Sequence, residues 1–287
     1  MISRIVLLLI VTCVSLPRAM GQEAAVQKTA VQEAPAKTTW YDKQAKWKGF
    51  DQFHFKHSGS DCYLIVPEKP LAGNPWIWRA RFPSFHAEMD VALIKKGFHL
   101  AYFNVAGKFG CPETIDRAKS FYDYLIAERG LHNKAVMEGV SRGGLFVYNW
   151  TAKYPDTVAC IYCDTPVCDF RSWPGGKGTG VGSEGAWKQC LSVYGLTDEE
   201  SESFKGLPIR HAPIIAKAKI PVMHIVSEND RVVPPTENTF VLRDRLAKLG
   251  HKMEIILVPE GTEKSKGHHF THPQPEKVVA FILSHAK

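Results

Sequence analysis

Long hydrophobic runs are scarce in this chain of 287 residues, and the apolar segment at residues 5–11 is too short to span a bilayer. Internal repeats are absent, as is the G-x-x-x-x-G-K-[ST] spacing that cradles phosphates. The seven cysteines include one C-x-x-C pair, Cys160 and Cys163, without a second ligand pair at zinc-site spacing. The basic residues, which give a formal net charge of +7, are scattered among acidic ones. The sequence therefore predicts no stable membrane anchor, no nucleic-acid partner, no metal and no cofactor, and it leaves the oligomeric state open.

Residues 1–21 have the pattern of a cleaved signal peptide. Arg4 gives a positive start, the apolar segment follows, and residues 19–21 (AMG) offer a small-x-small cleavage site. An uncleaved anchor is the competing interpretation. Residues 22–39 are rich in Ala, Gln, Glu, Lys and Thr, which predicts a disordered leader before a folded domain at residues 40–287. We therefore expect a secreted or periplasmic protein.

Strand-like and helix-like segments alternate along most of the domain. The strand-like segments lie at residues 50–56, 62–66, 75–78, 98–104, 158–162, 220–226 and 253–258, and the helix-like segments at residues 87–96, 112–129, 145–152, 183–194 and 276–285. This alternation predicts an α/β fold with a doubly wound, mostly parallel sheet. A glycine-rich excursion within residues 164–207 interrupts it and predicts a small lid insertion, which a disulfide between Cys168 and Cys190 would staple in an exported protein.

Residues 139–144 (GVSRGG) follow the apolar run at residues 135–137 and predict a nucleophile elbow, the sharp strand-to-helix turn that exposes a serine. Such a turn needs small residues on both sides, because it brings the strand and helix backbones almost into contact. Gly139 and Gly143 meet that need. Ser141 is therefore the candidate nucleophile.

An acid and a histidine follow Ser141 in the order that a Ser-Asp-His triad takes in α/β-hydrolases. Asp230 lies in the loop after the strand-like residues 220–226, and His268 lies before the terminal helix. In this interpretation His268 is the general base that takes the serine proton, and Asp230 orients it and stabilises the imidazolium.

Other residues compete for these roles. Asp164 ends the preceding strand and Glu228 lies beside the favoured acid, so both are rival carboxylates. His269 is the rival base; we favour its neighbour because that residue directly follows a glycine, where a tight turn can place it over the elbow. We interpret His272 as a solvated loop histidine and His224, inside an apolar strand, as a core histidine. A metal site built from the three clustered histidines is a weaker alternative.

The oxyanion formed on attack needs preorganised donors. We expect the backbone N–H of Arg142 and one N–H near Arg79 or Ala80 to supply them. An HGGG-type lipase loop is absent, and residues 78–82 (WRARF) take its place. The planar forks of Arg79 and Arg81 can bind a carboxylate or sugar hydroxyls, or can pair with surface acids, and the sequence leaves both open.

The triad segments over residues 50–287 resemble α/β-hydrolases of the bacterial secreted esterase type. The elbow is similar to that of glucuronoyl esterases, in which an arginine follows the nucleophile and its side chain helps to hold the oxyanion. The resemblance implies that role for Arg142. Those enzymes carry a lysine soon after this arginine, whereas this chain has Leu145. Residues 164–178 resemble, more loosely, a segment of pectin-type methylesterases with the α/β-hydrolase fold.

Tryptophans suit sugar rings because their flat faces stack on them. Trp173, amid Pro and Gly in the excursion, is the best candidate for a ligand contact; Trp78 and Trp187 are further candidates, and Trp150 is expected in the core. The sequence thus predicts a serine esterase that acts on a polysaccharide or oligosaccharide ester, most concretely a uronic-acid methyl or alkyl ester, through an acyl-enzyme. The alternatives are a glycan acetylesterase, a hydrolase of small lactones or aryl esters, and a non-catalytic binding protein. A peptidase is less expected, because no propeller-like domain is indicated.

Overall fold

The computed structural model describes residues 40–286. The predicted signal peptide at residues 1–21 and the predicted leader at residues 22–39 lie outside the described residues. Within residues 40–286, no helix combines the length and the apolar character needed to cross a membrane.

Within residues 40–286, nine strands form one sheet in the order β1-β2-β3-β5-β4-β6-β7-β8-β9. The first three pairings in that order are antiparallel and the remaining five are parallel, which confirms the prediction of a mostly parallel sheet. The strands are β1 (Lys43–Trp47), β2 (Phe50–His57), β3 (Ser60–Val66), β4 (Trp76–Arg79), β5 (His99–Phe103), β6 (Ala135–Val140), β7 (Val158–Asp164), β8 (Val222–Ser227) and β9 (Glu254–Val258).

Helices cover both faces of the sheet. They are α1 (Glu88–Lys95), α2 (Pro112–Arg129), α3 (Gly143–Lys153), α4 (Glu184–Tyr194), α5 (Asp198–Ser203), α6 (Ala212–Lys217), α7 (Thr239–Ala247) and α8 (Pro275–His285). Successive side chains of a strand point to opposite faces, so Trp76 and Trp78 of β4 join the core under α2 and α3, while Ile77 joins the core under α1 and α8. The doubly wound arrangement follows from these two apolar layers.

The strongest local signals gave the most accurate boundaries. Helix α2 spans the predicted residues 112–129, because Pro112 fits a first helical turn and Gly130 ends the helix in the left-handed region with φ 66°. Strand β1 was not predicted: its sequence KQAKW has little to bury, and it lies at the edge of the sheet, where lysines are common.

The glycine-rich excursion packs closely against the domain. Its backbone N–H groups at Cys168 and Asp169 donate to the Asn238 side chain at 2.8 and 3.0 Å. Each of the six cysteines within residues 40–286 is a buried free thiol, so the bridge between Cys168 and Cys190 that the sequence left open is not formed. The two thiols have different neighbours, because Cys168 lies near Cys163 and Cys190 lies near Cys111.

Candidate active site

Ser141 occupies the turn between β6 and α3. Its φ of 50° lies in the left-handed region, a conformation that costs a non-glycine residue about 1–3 kcal/mol. Three backbone bonds hold it there: the Ser141 N–H donates to Asp164 O at 2.9 Å, and its carbonyl accepts from Gly144 and Val167 at 3.0 and 2.9 Å. The hydroxyl is thereby presented at the carboxyl end of the sheet, as an elbow requires.

The glycines around Ser141 are required by close packing. A Cβ on Gly139 would lie 2.9 Å from Val147 Cγ2, and one on Gly144 would lie 2.6 Å from Pro166 Cβ. Gly143 has Arg81 Cβ at 3.1 Å from its own hypothetical Cβ. The predicted need for small residues therefore has a direct structural basis, and Gly144, which sequence reasoning did not single out, has the closest contact of the three.

His268 joins Ser141 and Asp230 in one chain of hydrogen bonds. Its Nε2 lies 3.0 Å from Ser141 Oγ, and its Nδ1 lies 2.7 Å from Asp230 Oδ2. The other carboxylate oxygen of Asp230 accepts the N–H groups of Val232 and Val233, both at 2.8 Å. Nδ1 therefore donates to Asp230 and leaves Nε2 free to accept the serine proton.

The loop before His268 is fixed by its own contacts. Gly267 has φ 86°, and a Cβ there would lie 2.2 Å from Asn229 O, so the tight turn expected before the histidine is present and needs glycine. The Ser227 hydroxyl donates to Gly267 O, and the Arg231 N–H donates to Lys266 O at 2.9 Å. The end of β8 thus positions the acid and the base together.

The rival acids have other surroundings. Glu228 is exposed, and its backbone N–H donates to Val258 O at 2.9 Å. Asp164 is buried, and its Oδ2 bonds to Nδ1 of His86. Asp230 is the carboxylate that contacts His268.

The other histidines divide between pocket and core. His269 lines the pocket beside the triad, and its ring centroid is 5.0 Å from that of Phe85. His272 is buried and its Nε2 lies 3.0 Å from Tyr162 Oη, so the prediction of a solvated histidine is wrong. His224 is buried and bonds to Thr239, which confirms it as a core histidine. Within residues 40–286, no cluster of three or more metal-ligating side chains is placed to hold a metal ion.

Arg79 does not reach the pocket, which corrects its expected role as a substrate contact. Its side chain is fully buried and bonds to Asp90 and Glu138 at 2.6 and 2.7 Å. It also donates to the carbonyls of Phe82 and Phe85. Burial raises the pKa of Glu138 well above its usual range. Phe82 and Phe85 form one wall of the pocket, so Arg79 holds that wall in place through its hydrogen bonds to their carbonyl groups.

The predicted oxyanion donors also need a correction. The Ala80 N–H donates to Glu138 O at 2.9 Å, so the sheet already uses it. Among the described residues, the backbone N–H groups of Arg81 and Arg142 have no hydrogen-bond acceptor. Arg81 packs against Gly143 at the start of α3. The geometry therefore keeps Arg142 as one candidate donor and moves the other by one residue, to Arg81.

A cavity of about 280 Å³ opens beside the triad. Its lining comprises Phe82, Phe85, Val140, Ser141, Arg142, Thr165, Trp173, Val232, His268 and His269. The guanidinium of Arg142 lies 4.7 Å from the ring centroid of Trp173, which is part of the lining, and a ligand contact by Trp173 stays a prediction. Trp78, in contrast, is fully buried in the core, and Trp187 is outside this lining.

Arg142 in the cavity lining and the nearby Arg81 carry positive charge that no carboxylate of the described residues compensates. No Asp or Glu within residues 40–286 lies within ion-pair distance of Arg81 or Arg142. Burial lowers the pKa of Arg142, and the nearby charge of Arg81 adds to that effect. The Nε atoms of both side chains are buried without a partner among the described residues. Because Arg142 lines the cavity, the other N–H groups of its guanidinium can donate to an anionic or carbonyl oxygen of a ligand.

The prolyl oligopeptidase family model matches residues 112–287. No curated protein matches the chain. Similar solved structures include an acylaminoacyl peptidase from Pyrococcus horikoshii, with a TM-score of 0.61, 18% identity, and coverage of 82% of this chain and 41% of that chain. A puromycin-hydrolyzing peptidase from Mycobacterium tuberculosis has a TM-score of 0.63, 16% identity, and coverage of 83% and 40%. MPT51 from the same organism has a TM-score of 0.58, 15% identity, and coverage of 80% and 95%.

The chain spans about two fifths of the length of the two peptidases. At these identities the structural likenesses show the fold alone. That fold is the α/β-hydrolase fold, which confirms the predicted fold class.

Proposed function

The chain belongs to the prolyl oligopeptidase family of serine hydrolases, and from this premise we propose that it is a serine esterase that hydrolyses a uronic-acid methyl or alkyl ester of a carbohydrate. The observation that carries the proposal is the unpaired guanidinium of Arg142, which lies over Trp173 beside the nucleophile. An aromatic face stacks on a sugar ring, while a planar fork binds the oxygens of a carboxyl group.

The proposed reaction begins with attack by Ser141 Oγ on the ester carbonyl. His268 takes the serine proton and gives it to the departing methanol or alcohol, while Asp230 stabilises the imidazolium. The oxyanion would accept hydrogen bonds from the backbone N–H groups of Arg81 and Arg142, and the positive side chain of Arg142 would stabilise its negative charge. Water activated by His268 then cleaves the acyl-enzyme and releases the uronate, whose carboxylate the arginines can retain.

The charge of the pocket favours a uronate over an acetyl ester. In a uronic ester the sugar ring lies on the acyl side, so the ring and the reacting carbonyl occupy the pocket together. In an acetyl ester only a methyl group would occupy the place of the sugar ring. The Arg142 guanidinium would then have no sugar oxygen as an acceptor besides the reacting carbonyl. Unpaired buried polar groups are costly, so the pocket should discriminate against that substrate.

Amide hydrolysis is the second candidate function. Family membership favours it, and two of the similar structures are described as peptidases. The same triad can cleave esters and amides, so the bond is decided by what the pocket orients rather than by the nucleophile.

The test compares products from three substrate classes with purified protein and its Ser141→Ala variant. Methanol release from a methyl-esterified polyuronate, absent in the variant, supports the proposal. Release of acetate alone from acetylated polysaccharide would replace it with a glycan deacetylase. Release of p-nitroaniline alone from acyl-aminoacyl p-nitroanilides would replace it with a peptidase.

Export remains part of the proposal, because a polysaccharide substrate would lie outside the cell. The predicted cleavage between Gly21 and Gln22 can be checked by N-terminal sequencing of protein recovered from the periplasm or medium. Recovery of the protein from the membrane fraction with residues 1–21 still present would support the uncleaved anchor instead.

A further inference from the structure

A second histidine–carboxylate pair lies behind the triad. Nδ1 of His86 bonds to Oδ2 of Asp164, and Nε2 of His86 lies 2.6 Å from the backbone oxygen of Phe270. The side chain of His86 is 9% exposed and that of Asp164 is 1% exposed. Neither side chain belongs to the triad.

The two partners of His86 fix where protons must be. The oxygen of Phe270 can only accept, so Nε2 must carry a hydrogen. The contact with Asp164 then needs one more proton, either on Nδ1 as an imidazolium or on the carboxyl group. If that proton is lost, a bare ring nitrogen faces an oxygen at one end of the ring, and one of the two bonds breaks.

The pair connects the two halves of the catalytic machinery. The backbone carbonyl of Asp164 accepts the Ser141 N–H at 2.9 Å, while Phe270 is two residues beyond His268. We propose that His86 is a positioning residue that ties the segment carrying His268 to the strand end that holds Ser141. The proposal concerns only the positions of the triad residues, so it applies whether the enzyme hydrolyses an ester or an amide.

Several titratable groups lie near the bridge between His86 and Asp164. Glu88 lies at the start of α1, and His269 and His272 lie in the loop on either side of Phe270. Burial lowers the pKa of His86, but the bond to Asp164 and its charge outweigh this and leave the pKa raised. Burial lowers the pKa values of His269 and His272, so both stay uncharged through the pH range in which an ordinary histidine titrates.

The deeper charges on the sheet side belong to Arg79, Asp90 and Glu138. Burial raises the pKa of Glu138 well above its usual range, and Arg79 bonds to both carboxyl groups, so these three groups pair with one another rather than with His86. The bridge is therefore complete below the raised pKa of His86 and is lost as the pH rises through it.

Two substitutions distinguish a positioning role of His86 from a general contribution to the stability of the fold. Asn is suitable at position 86 because His86 has φ 46°, a conformation that Asn tolerates, while its side chain is too short to bridge. At position 164, Asn offers an amide N–H to Nδ1, and Oδ1 of Asp164 has no other partner within the described residues to oppose that orientation. A neutral His86 then keeps both bonds without the extra proton.

The experiment measures kcat and KM for p-nitrophenyl acetate, and the rate of Ser141 labelling by a fluorophosphonate, from pH 6 to pH 10. We expect His86→Asn to lower kcat and labelling about 10- to 100-fold at pH 6 with little change in KM, since a misplacement of about 1 Å can cost about 100-fold. The difference from wild type should shrink at alkaline pH, where the wild-type bridge is lost as well. Wild type should lose activity at alkaline pH, and Asp164→Asn should not. His57→Asn, a half-buried position at the end of β2 and outside the cavity lining, should match wild type throughout.

Two results would overturn the proposal: kcat of His86→Asn within twofold of wild type at pH 6, or an alkaline decline in Asp164→Asn parallel to that of wild type. A proton NMR spectrum of the wild-type protein gives a readout that does not depend on the folding of His86→Asn. It should contain a downfield signal for the bond between His86 and Asp164 that disappears at alkaline pH and persists in Asp230→Asn. Absence of that signal at neutral pH would also refute the bridge, whereas absence of labelling in wild type would count against the proposed hydrolase alone.

Discussion

Replacing Asp230 by Asn should reverse the tautomer of His268. Oδ1 of Asp230 accepts two backbone N–H groups at 2.8 Å, so the amide oxygen of Asn must take that position. The amide NH₂ group then faces Nδ1 of His268, which must accept rather than donate. The ring proton moves to Nε2, where it points at Ser141 Oγ and prevents the ring from taking the serine proton.

The expected loss follows from this geometry. A tautomer reversal of this kind in a serine protease lowers kcat about 10⁴-fold, or roughly 5 kcal/mol of transition-state stabilisation. The fold should survive, because the side chains differ little in size and the hydrogen bonds of Oδ1 are kept. We therefore expect a nearly unchanged melting temperature together with the large loss of kcat.

The assay measures kcat for p-nitrophenyl acetate and the rate of fluorophosphonate labelling, with circular dichroism to follow unfolding. Glu228→Gln is the matched control, because Glu228 is a rival acid beside Asp230 but is exposed and outside the cavity lining. It should stay within twofold of wild type. If Asp230→Asn kept one tenth of the wild-type kcat, or if Glu228→Gln lost as much, the assignment of the acid would be refuted.

Four further predictions follow from other parts of the site and core. Arg142→Met should lower kcat/KM for a methyl uronate about tenfold more than for p-nitrophenyl acetate, because only the uronate offers the guanidinium sugar oxygens in addition to the oxyanion; equal losses would contradict this. Gly144→Ala should lower the free energy of unfolding by about 1–3 kcal/mol in urea titrations through its clash with Pro166, whereas Gly185→Ala, in open space on a helix, should raise it by about 0.5–1 kcal/mol. Burial lowers the pKa of His224 to about 3, so the unfolded chain binds more protons below pH 6.5, and stability should fall by about 1 kcal/mol per pH unit from this residue as the pH decreases from 6.5 towards 4; a flat profile from pH 7 to pH 4 would contradict it. The six described cysteines should resist a thiol reagent in the native protein and all react after denaturation without reductant, whereas a count of four would indicate a bridge.

The sequence predicted the site best where one residue type is dictated by local chemistry. Gly139 and Gly143 on either side of Ser141, and Gly267 before His268, mark turns whose backbones leave no room for a side chain. These constraints are local, so they are visible in the sequence and led to the residues that the structure brings together.

The arginines show where local reasoning failed. Arg79 and Arg81 are two residues apart, so they would share one face if the strand continued through both. Strand β4 ends at Arg79, so the two side chains take different directions. In the interior, Asp90 of α1 and Glu138 of β6 form ion pairs with the guanidinium of Arg79. Nothing in residues 78–82 reveals those partners, because they lie 11 and 59 positions away.

The sequence by itself determined the fold class, the elbow and the order of Ser141, Asp230 and His268, because apolar periodicity and glycine placement act over short stretches of chain. Only the tertiary structure decided which of the competing carboxylates reaches His268, which arginine faces the cavity, and that His86 joins Asp164 to the histidine loop. These choices depend on distances between strand ends and loops that are remote in sequence, and such distances are set by how the helices and the sheet pack together.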